Sequence, residues 1–160
     1  MVRLPSSVSS VAVMLSIVLL QTLPKTAAAA DAQQAAAAAR VLAGHVGINR
    51  GLCVVVGQDP DVVIELVEST ELTVLVREPD AKRLARLQQA ANEAGLEIDR
   101  LVIQSGNPRR LPYADRMIDA VITSTTDVTA AEAMRVLRPE GLLIRNDGKQ
   151  VSTKRRPKQK

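Results

Sequence analysis

A doubly wound α/β fold on a parallel sheet of about five strands is what this 160-residue chain predicts. Three observations lead there. Short, unbroken apolar runs rich in β-branched residues recur, and such runs suit strands buried on both faces. Between them lie longer stretches with helical periodicity. Glycine, proline or a capping residue separates most runs from the next, the pattern of right-handed βαβ units.

The elements follow in order. Arg3 supplies a positive start, and Val11 to Leu20 is an apolar run of ten. That is half of the ~20 residues a membrane-spanning helix needs. Ala28-Ala29-Ala30 offers the small residues of a signal-peptidase site. Residues 1–30 are therefore expected to be a signal peptide cleaved before Asp31, with an uncleaved anchor as the alternative. The mature chain would be secreted or periplasmic, with no stable membrane span. A folded domain would occupy 31–148, and 149–160 a basic, disordered tail or truncated linker.

Asp31 to Ala43 is Ala-rich and suits a helix, ended by Gly44 and Gly47. Leu52 to Val56 reads as the first strand, broken by Gly57. Asp59-Pro60 opens a helix through about Ser69, because Asp caps and Pro fits the first turn. Leu72 to Val76 is the second strand. Asp80 to Ala94 is an amphipathic helix with Leu84, Leu87, Ala91 and Ala94 on one face, stopped by Gly95. Arg100 to Ile103 makes the third strand, and Gly106-Asn107-Pro108 a turn. Ile118 to Thr123 is the fourth strand, Thr129 to Leu137 a helix, and Leu142 to Ile144 the fifth strand.

Composition narrows the function. Tyr113 is the only aromatic residue, which counts against stacking platforms for single-stranded nucleic acid and against aromatic cages. One cysteine (Cys53) and one histidine (His45) leave no disulfide and no Cys/His metal cluster. The net charge of +4 is unevenly spread. Residues 1–30 and 149–160 hold eight of the 21 basic groups, so 31–148 carries 13 basic against 17 acidic residues, a net of −4. No nucleic-acid partner is expected of such a body.

Doubly wound sheets bind ligands beyond the carboxyl ends of their strands. Gly57 follows the first strand and Glu78 the second, 21 residues apart. That is close to the ~20 between a glycine turn and a ribose-binding acid in nucleotide-binding βαβ units. Glycine lets backbone approach a ligand, and a carboxylate accepts hydrogen bonds from both ribose hydroxyls. The later glycines of a dinucleotide-binding turn are missing from Gly57-Gln58-Asp59-Pro60-Asp61, which counts against a dehydrogenase-like domain.

Three further segments occur in order: Leu111-Pro112-Tyr113-Ala114-Asp115, Met117-Ile118-Asp119-Ala120-Val121-Ile122, and Ala133-Met134-Arg135-Val136-Leu137-Arg138-Pro139-Glu140-Gly141-Leu142-Leu143. With Glu78-Pro79-Asp80-Ala81 they resemble the class I S-adenosylmethionine-dependent methyltransferases, and closely the type 11 group. The resemblance covers roughly residues 35–146, and its last segment is the most specific. It implies a Rossmann-like sheet in the order 3-2-1-4-5. It implies a cofactor site of Gly57, Gln58, Asp59, Glu78, Pro79, Asn107 and Pro108. Gly57 would lie beside the methionine moiety, Glu78 would bind the ribose hydroxyls, and Asn107 would sit by the adenine amino group. The resemblance also extends to the front domains of secreted bacterial proteins that continue into a PQQ-binding-like β-propeller, a partner expected in longer relatives.

The departures from the family pattern are specific. Val55 stands where the family has an acid, and Asp59 and Asp61 stand where it has glycines. Asn107 replaces an aspartate. The terminal antiparallel hairpin of the family is expected to be missing. The implied function is a methyltransferase-like domain of an exported protein that uses S-adenosylmethionine, with acceptor and catalytic residues unassigned. The alternative is a non-catalytic remnant of the fold that has lost the cofactor and serves as a binding or structural module.

Other residues have plainer roles to fill. His45 reads as a cation at a helix end, and Cys53 as a small buried hydrophobe. Tyr113 suits either an adenine contact or loop packing. Asp119 reads as structural, and no nucleophile or base stands out in Thr123 to Thr126.

Overall fold

The computed structural model describes residues 24–96, 100–148 and 150–158. The apolar run of the expected signal peptide lies outside them. Helix α1 spans Pro24–Val46. It runs through the Ala30–Asp31 boundary and beyond Ala43, because nearly every residue there is a strong helix former. Ala35, Ala39, Leu42 and Val46 form its buried stripe, and His45 Nδ1 meets the Val41 carbonyl at 2.7 Å.

The remaining elements are β1 (Arg50–Val56), α2 (Pro60–Ser69), β2 (Glu71–Glu78), α3 (Ala81–Glu93), β3 (Leu101–Ser105), β4 (Ile118–Thr123), α4 (Ala130–Val136), β5 (Leu137–Asn146) and β6 (Val151–Arg155). The sheet has six strands in the order β3-β2-β1-β4-β5-β6. Strands β1 to β5 are parallel, with Val54 opposite both Leu75 and Val121 at the centre. The chain thus has the doubly wound, Rossmann-like sheet in the expected order, with one strand more.

The core lies on both faces. Cys53, Val55, Val74, Val76, Ala120, Ile122 and Ile144 point to one side, under α1, α2 and α3. Val54, Val56, Val121 and Leu143 point to the other, under α4 and the loop around Leu111. Helix α3 buries Leu87 and Ala91, leaves Leu84 half-buried, and leaves Ala94 exposed at its C-cap.

β6 corrects the sequence reading. The tail was expected to be disordered and the sheet to end at an open fifth strand. Instead, Val151–Arg155 pairs antiparallel with β5, with Ile144 opposite Thr153. Asn146-Asp147-Gly148 supplies a tight turn. Gly148 N donates to Asn146 Oδ1 at 3.1 Å, and Gln150 N to Asp147 Oδ1 at 2.7 Å. Arg156 then donates to the carbonyls of Met134, Arg135 and Leu137 at the end of α4. A polar, cationic sequence suits a solvent-facing edge strand, which needs no apolar alternation and resists pairing with other chains.

β5 begins earlier than expected because Leu137 already pairs with Ile118. The register then jumps to Ala120 opposite Leu142, and residues 138–141 bulge out between. Gly141 is needed there. A Cβ would stand 2.9 Å from the Arg138 carbonyl and 3.0 Å from that of Asp119.

Candidate functional site at the carboxyl ends of the strands

β1 delivers Gly57 to the carboxyl edge of the sheet with φ +73°. The Ser124 amide donates to the Val56 carbonyl at 3.1 Å, and the Ser124 hydroxyl donates to the Gly57 carbonyl. A Cβ on Gly57 would lie 2.5 Å from Thr125 Cγ2 and 2.8 Å from Ser124 Oγ. The neighbouring loop of this chain therefore already demands glycine, both for its backbone conformation and for space.

Gln58 is buried, and its Oε1 accepts from Asn146 Nδ2 at 3.3 Å. Its Nε2 has no hydrogen-bond partner among the described residues. Asp59 is the N-cap of α2, with φ −65° and ψ 140°, and accepts from the Asp61 amide at 3.1 Å. Pro60 fills the first helical position. The residue that departs most from the family's glycine turn is thus a helix cap. Asp59 is exposed, so water weakens its repulsion of a nearby anion. At 4 Å in water-like surroundings the cost is about 1 kcal/mol, about fivefold in affinity.

Glu78 closes β2 and is 5% exposed. One carboxylate oxygen accepts from the Asp80 amide at 3.1 Å, and the other lies 3.4 Å from Arg83 Nε. Arg83 stands in the first turn of α3, where the Asp80 side chain accepts from its amide at 2.8 Å. Its Nη2 donates to the carbonyls of Gly57 at 2.8 Å and Gln58 at 2.9 Å. One guanidinium therefore ties together Gly57, Gln58 and Glu78. The sequence alone assigned Arg83 no role. Its position in the first turn after a ligand-binding strand was the available signal.

Asn107 and Pro108 follow β3, whose Ser105 is opposite Glu78. The Asn107 side chain accepts from the Arg109 amide at 2.9 Å, which makes it a turn-former. Pro108 is buried and Pro79 exposed. A recess of about 240 Å³ lies beyond β4 and β5, lined by Thr123, Ser124, Thr125, Arg145 and Asn146 among others. A second, open recess of about 650 Å³ is lined by Arg109, Arg110, Tyr113 and Arg135 among others. Neither includes Gly57, Glu78 or Asn107.

Cys53 and Asp119 belong to the frame of the sheet. Burial, aided by the Asp119 charge, pushes the Cys53 thiol up to about 12, so it stays protonated. Asp119 accepts from the Leu52 amide at 2.8 Å and pairs with Arg138 at 2.6 Å. Tyr113 packs against the core on the α4 side, and burial raises its hydroxyl pKa, partly offset by Arg77. No group of three His, Cys, Asp or Glu residues among those described could hold a metal. No described helix is long and apolar enough to cross a membrane.

Toward S-adenosylmethionine the residues divide. Each Glu78 oxygen has one neighbour and keeps a lone pair for a hydroxyl donor, whereas the Gly57 carbonyl is shared by Ser124 and Arg83, and Val55 is a buried apolar side chain that cannot hold an ammonium group.

The fold has many solved counterparts. A Methanococcus maripaludis protein classed as an S-adenosyl-L-methionine-dependent methyltransferase is 20% identical, with a TM-score of 0.58 over 66% of this chain and 52% of its own. Geranyl diphosphate methyltransferase, solved in complex with S-adenosylmethionine, is 18% identical, with a TM-score of 0.59 over 72% of this chain and 52% of its own. The cyclase SpnF is 21% identical, with a TM-score of 0.58 over 66% of this chain and 42% of its own. The chain therefore has the methyltransferase fold and spans about half the length of these proteins. No protein-family model and no curated protein sequence matches it.

Proposed function

We propose that this chain is an S-adenosylmethionine methyltransferase-like domain of an exported protein, and that it works as a binding or structural module with little affinity for the cofactor. The observation that carries this reading is the state of Glu78. Its buried carboxylate, which the family resemblance assigns to the ribose hydroxyls, already faces the Arg83 guanidinium and accepts from the Asp80 amide, so a ribose has to compete for it. Asp59 adds a charge where the cofactor's carboxylate would meet the N-terminus of α2. The cyclase among the similar structures supports a role other than methyl transfer, since one fold hosts several chemistries.

Active methyl transfer remains the second reading, favoured by the geranyl diphosphate methyltransferase solved with its cofactor. Little beyond in-line positioning is needed for that chemistry, so the lack of an obvious base does not oppose it. Asp59→Gly separates the two readings. On the non-catalytic reading it tightens S-adenosylmethionine binding by about fivefold from a weak start, since glycine costs little as a cap. Micromolar binding by the unaltered protein, unchanged in Asp59→Gly, would put the enzyme ahead. Export belongs to the proposal too. Mass spectrometry of the secreted protein should find Asp31 at its N-terminus, and an intact Met1 species in the soluble fraction would remove that part. A β-propeller in longer relatives is proposed from the sequence resemblance alone.

A further inference from the structure

We propose that Arg83 is an intramolecular latch that competes with the cofactor for this site and sets how open it is. The inference rests on the S-adenosylmethionine reading above and adds how the site is controlled. Three features point to a latch and not a permanent staple. First, Arg83 engages ligand-site atoms: the Glu78 carboxylate and the carbonyls of Gly57 and Gln58. Second, its grip on Glu78 is loose. Arg83 Nε stands 3.4 Å from the carboxylate, beyond the 2.7–2.9 Å of a strong charge-assisted bond, and its side chain is 41% exposed. Water can therefore take over its donors when it swings out. Third, release would not leave the helix uncapped, because Asp80 and not Arg83 caps α3.

Gln58 gives the loop a reason to rearrange when the latch opens. Its buried Nε2 lacks an acceptor among the described residues, although its carbonyl is held by Arg83 and its Oε1 by Asn146. A buried donor without a partner is costly, and a ligand oxygen at this loop would satisfy it. Arg83 moving out and an acceptor moving in would remove the competing cation from Glu78 at the same time.

Titration calorimetry of the full protein with S-adenosylmethionine and S-adenosylhomocysteine tests the latch, using Arg83→Met, Arg83→Lys and Arg83→Met/Glu78→Gln. Arg83→Met should bind at least tenfold tighter than the unaltered protein, Arg83→Lys should fall between them, and Glu78→Gln should cancel the gain. A thermal melt checks that each variant is folded. If Arg83→Met fails to fold, Arg83→Lys decides, since it keeps the charge and loses the fork that spans both carbonyls. Independently, NMR should show the Arg83 Nη2 protons, which meet the Gly57 and Gln58 carbonyls, protected from exchange in the free protein and less protected in Glu78→Gln. A folded Arg83 variant that binds no tighter, or Nη2 protons already unprotected in the free protein, overturns the latch. Asp59→Gly keeps this failure distinct from that of the cofactor reading. If Asp59→Gly gains affinity and the Arg83 variants do not, only the latch fails. If no variant binds either compound, including Asp59→Gly/Arg83→Met, the cofactor reading falls and the latch with it.

Discussion

The two ends of the parallel sheet use arginine in contrasting ways. At the amino end, Arg135 on the last turn of α4 reaches the loop that leads into β4. It donates to the carbonyls of Leu111 at 2.8 Å and Tyr113 at 2.9 Å, to Asp115 at 2.7 Å, and to both oxygens of Glu132. Glu132 in turn accepts from the Leu111 amide at 2.7 Å. At the carboxyl end, Arg83 also joins one carboxylate to two carbonyls, but with a 3.4 Å ion pair and fewer partners. The chemistry is the same and the saturation differs. A guanidinium with its donors filled at short range fixes a loop. One whose carbonyl bonds are equally short but whose ion pair is longer, over atoms at the carboxyl ends of the strands, has less to lose by leaving, which is the basis of the proposed latch.

The largest effect expected from breaking this comparison is on the amino end. Arg135→Met should destabilise the fold by about 2 kcal/mol in urea unfolding, about 5 °C in melting temperature. That figure is set below the cost of breaking a fully buried pair because the Arg135 side chain is 34% exposed. The equivalent change at the carboxyl end, Arg83→Met, should cost under about 1 kcal/mol, since its pair is more open. Equal losses at the two ends would erase the distinction.

A smaller effect appears in acid. The hydrogen bond from Arg135 holds the Glu132 carboxyl below its usual 4.5, despite an opposing effect of burial. A depressed carboxyl contributes stability above its unfolded pKa and loses it as pH falls through the folded value. Protein stability should thus drop on acidification from about pH 5 downward, and Glu132→Gln should show a shallower drop over that range. Identical pH profiles would mean that the pairing adds nothing to folding. The smallest response belongs to the sheet interior between the two ends. Cys53, fully buried with its thiol pushed up to about 12, should not react with a thiol reagent at pH 8 until the protein unfolds. Rapid labelling of the folded protein would show that the centre of the sheet opens as readily as its edges.

Much of the fold was legible because local signals and buried runs agreed. Ile118–Thr123 matches its strand end to end, and Asp59, Asp80 and Thr129 cap the helices that their sequence context implied. β6 was illegible because an edge strand needs no apolar face, and Lys154, Arg155 and Pro157 read as a solvated tail. The site was half legible. Gly57 and Glu78 do stand at adjacent strand ends, joined through Arg83. Their partners were not readable, because a first-turn arginine looks like any solvent-facing cation until the neighbouring strand brings two carbonyls under it. That Thr125 and Ser124 also crowd Gly57 was not readable, because the fold alone brings the loop after β4 against it. Arg135 was visible as part of a motif, but its role came only with the loop that it holds.

The central claim is that the carboxyl-end site is closed to S-adenosylmethionine in the resting protein. Isothermal titration of the unaltered protein with the cofactor at neutral pH tests it most directly. The account predicts a Kd weaker than about 100 μM, which is a binding free energy smaller than about 5.5 kcal/mol. A Kd in the low micromolar range would contradict it and show that Arg83 and Asp59 leave the site open.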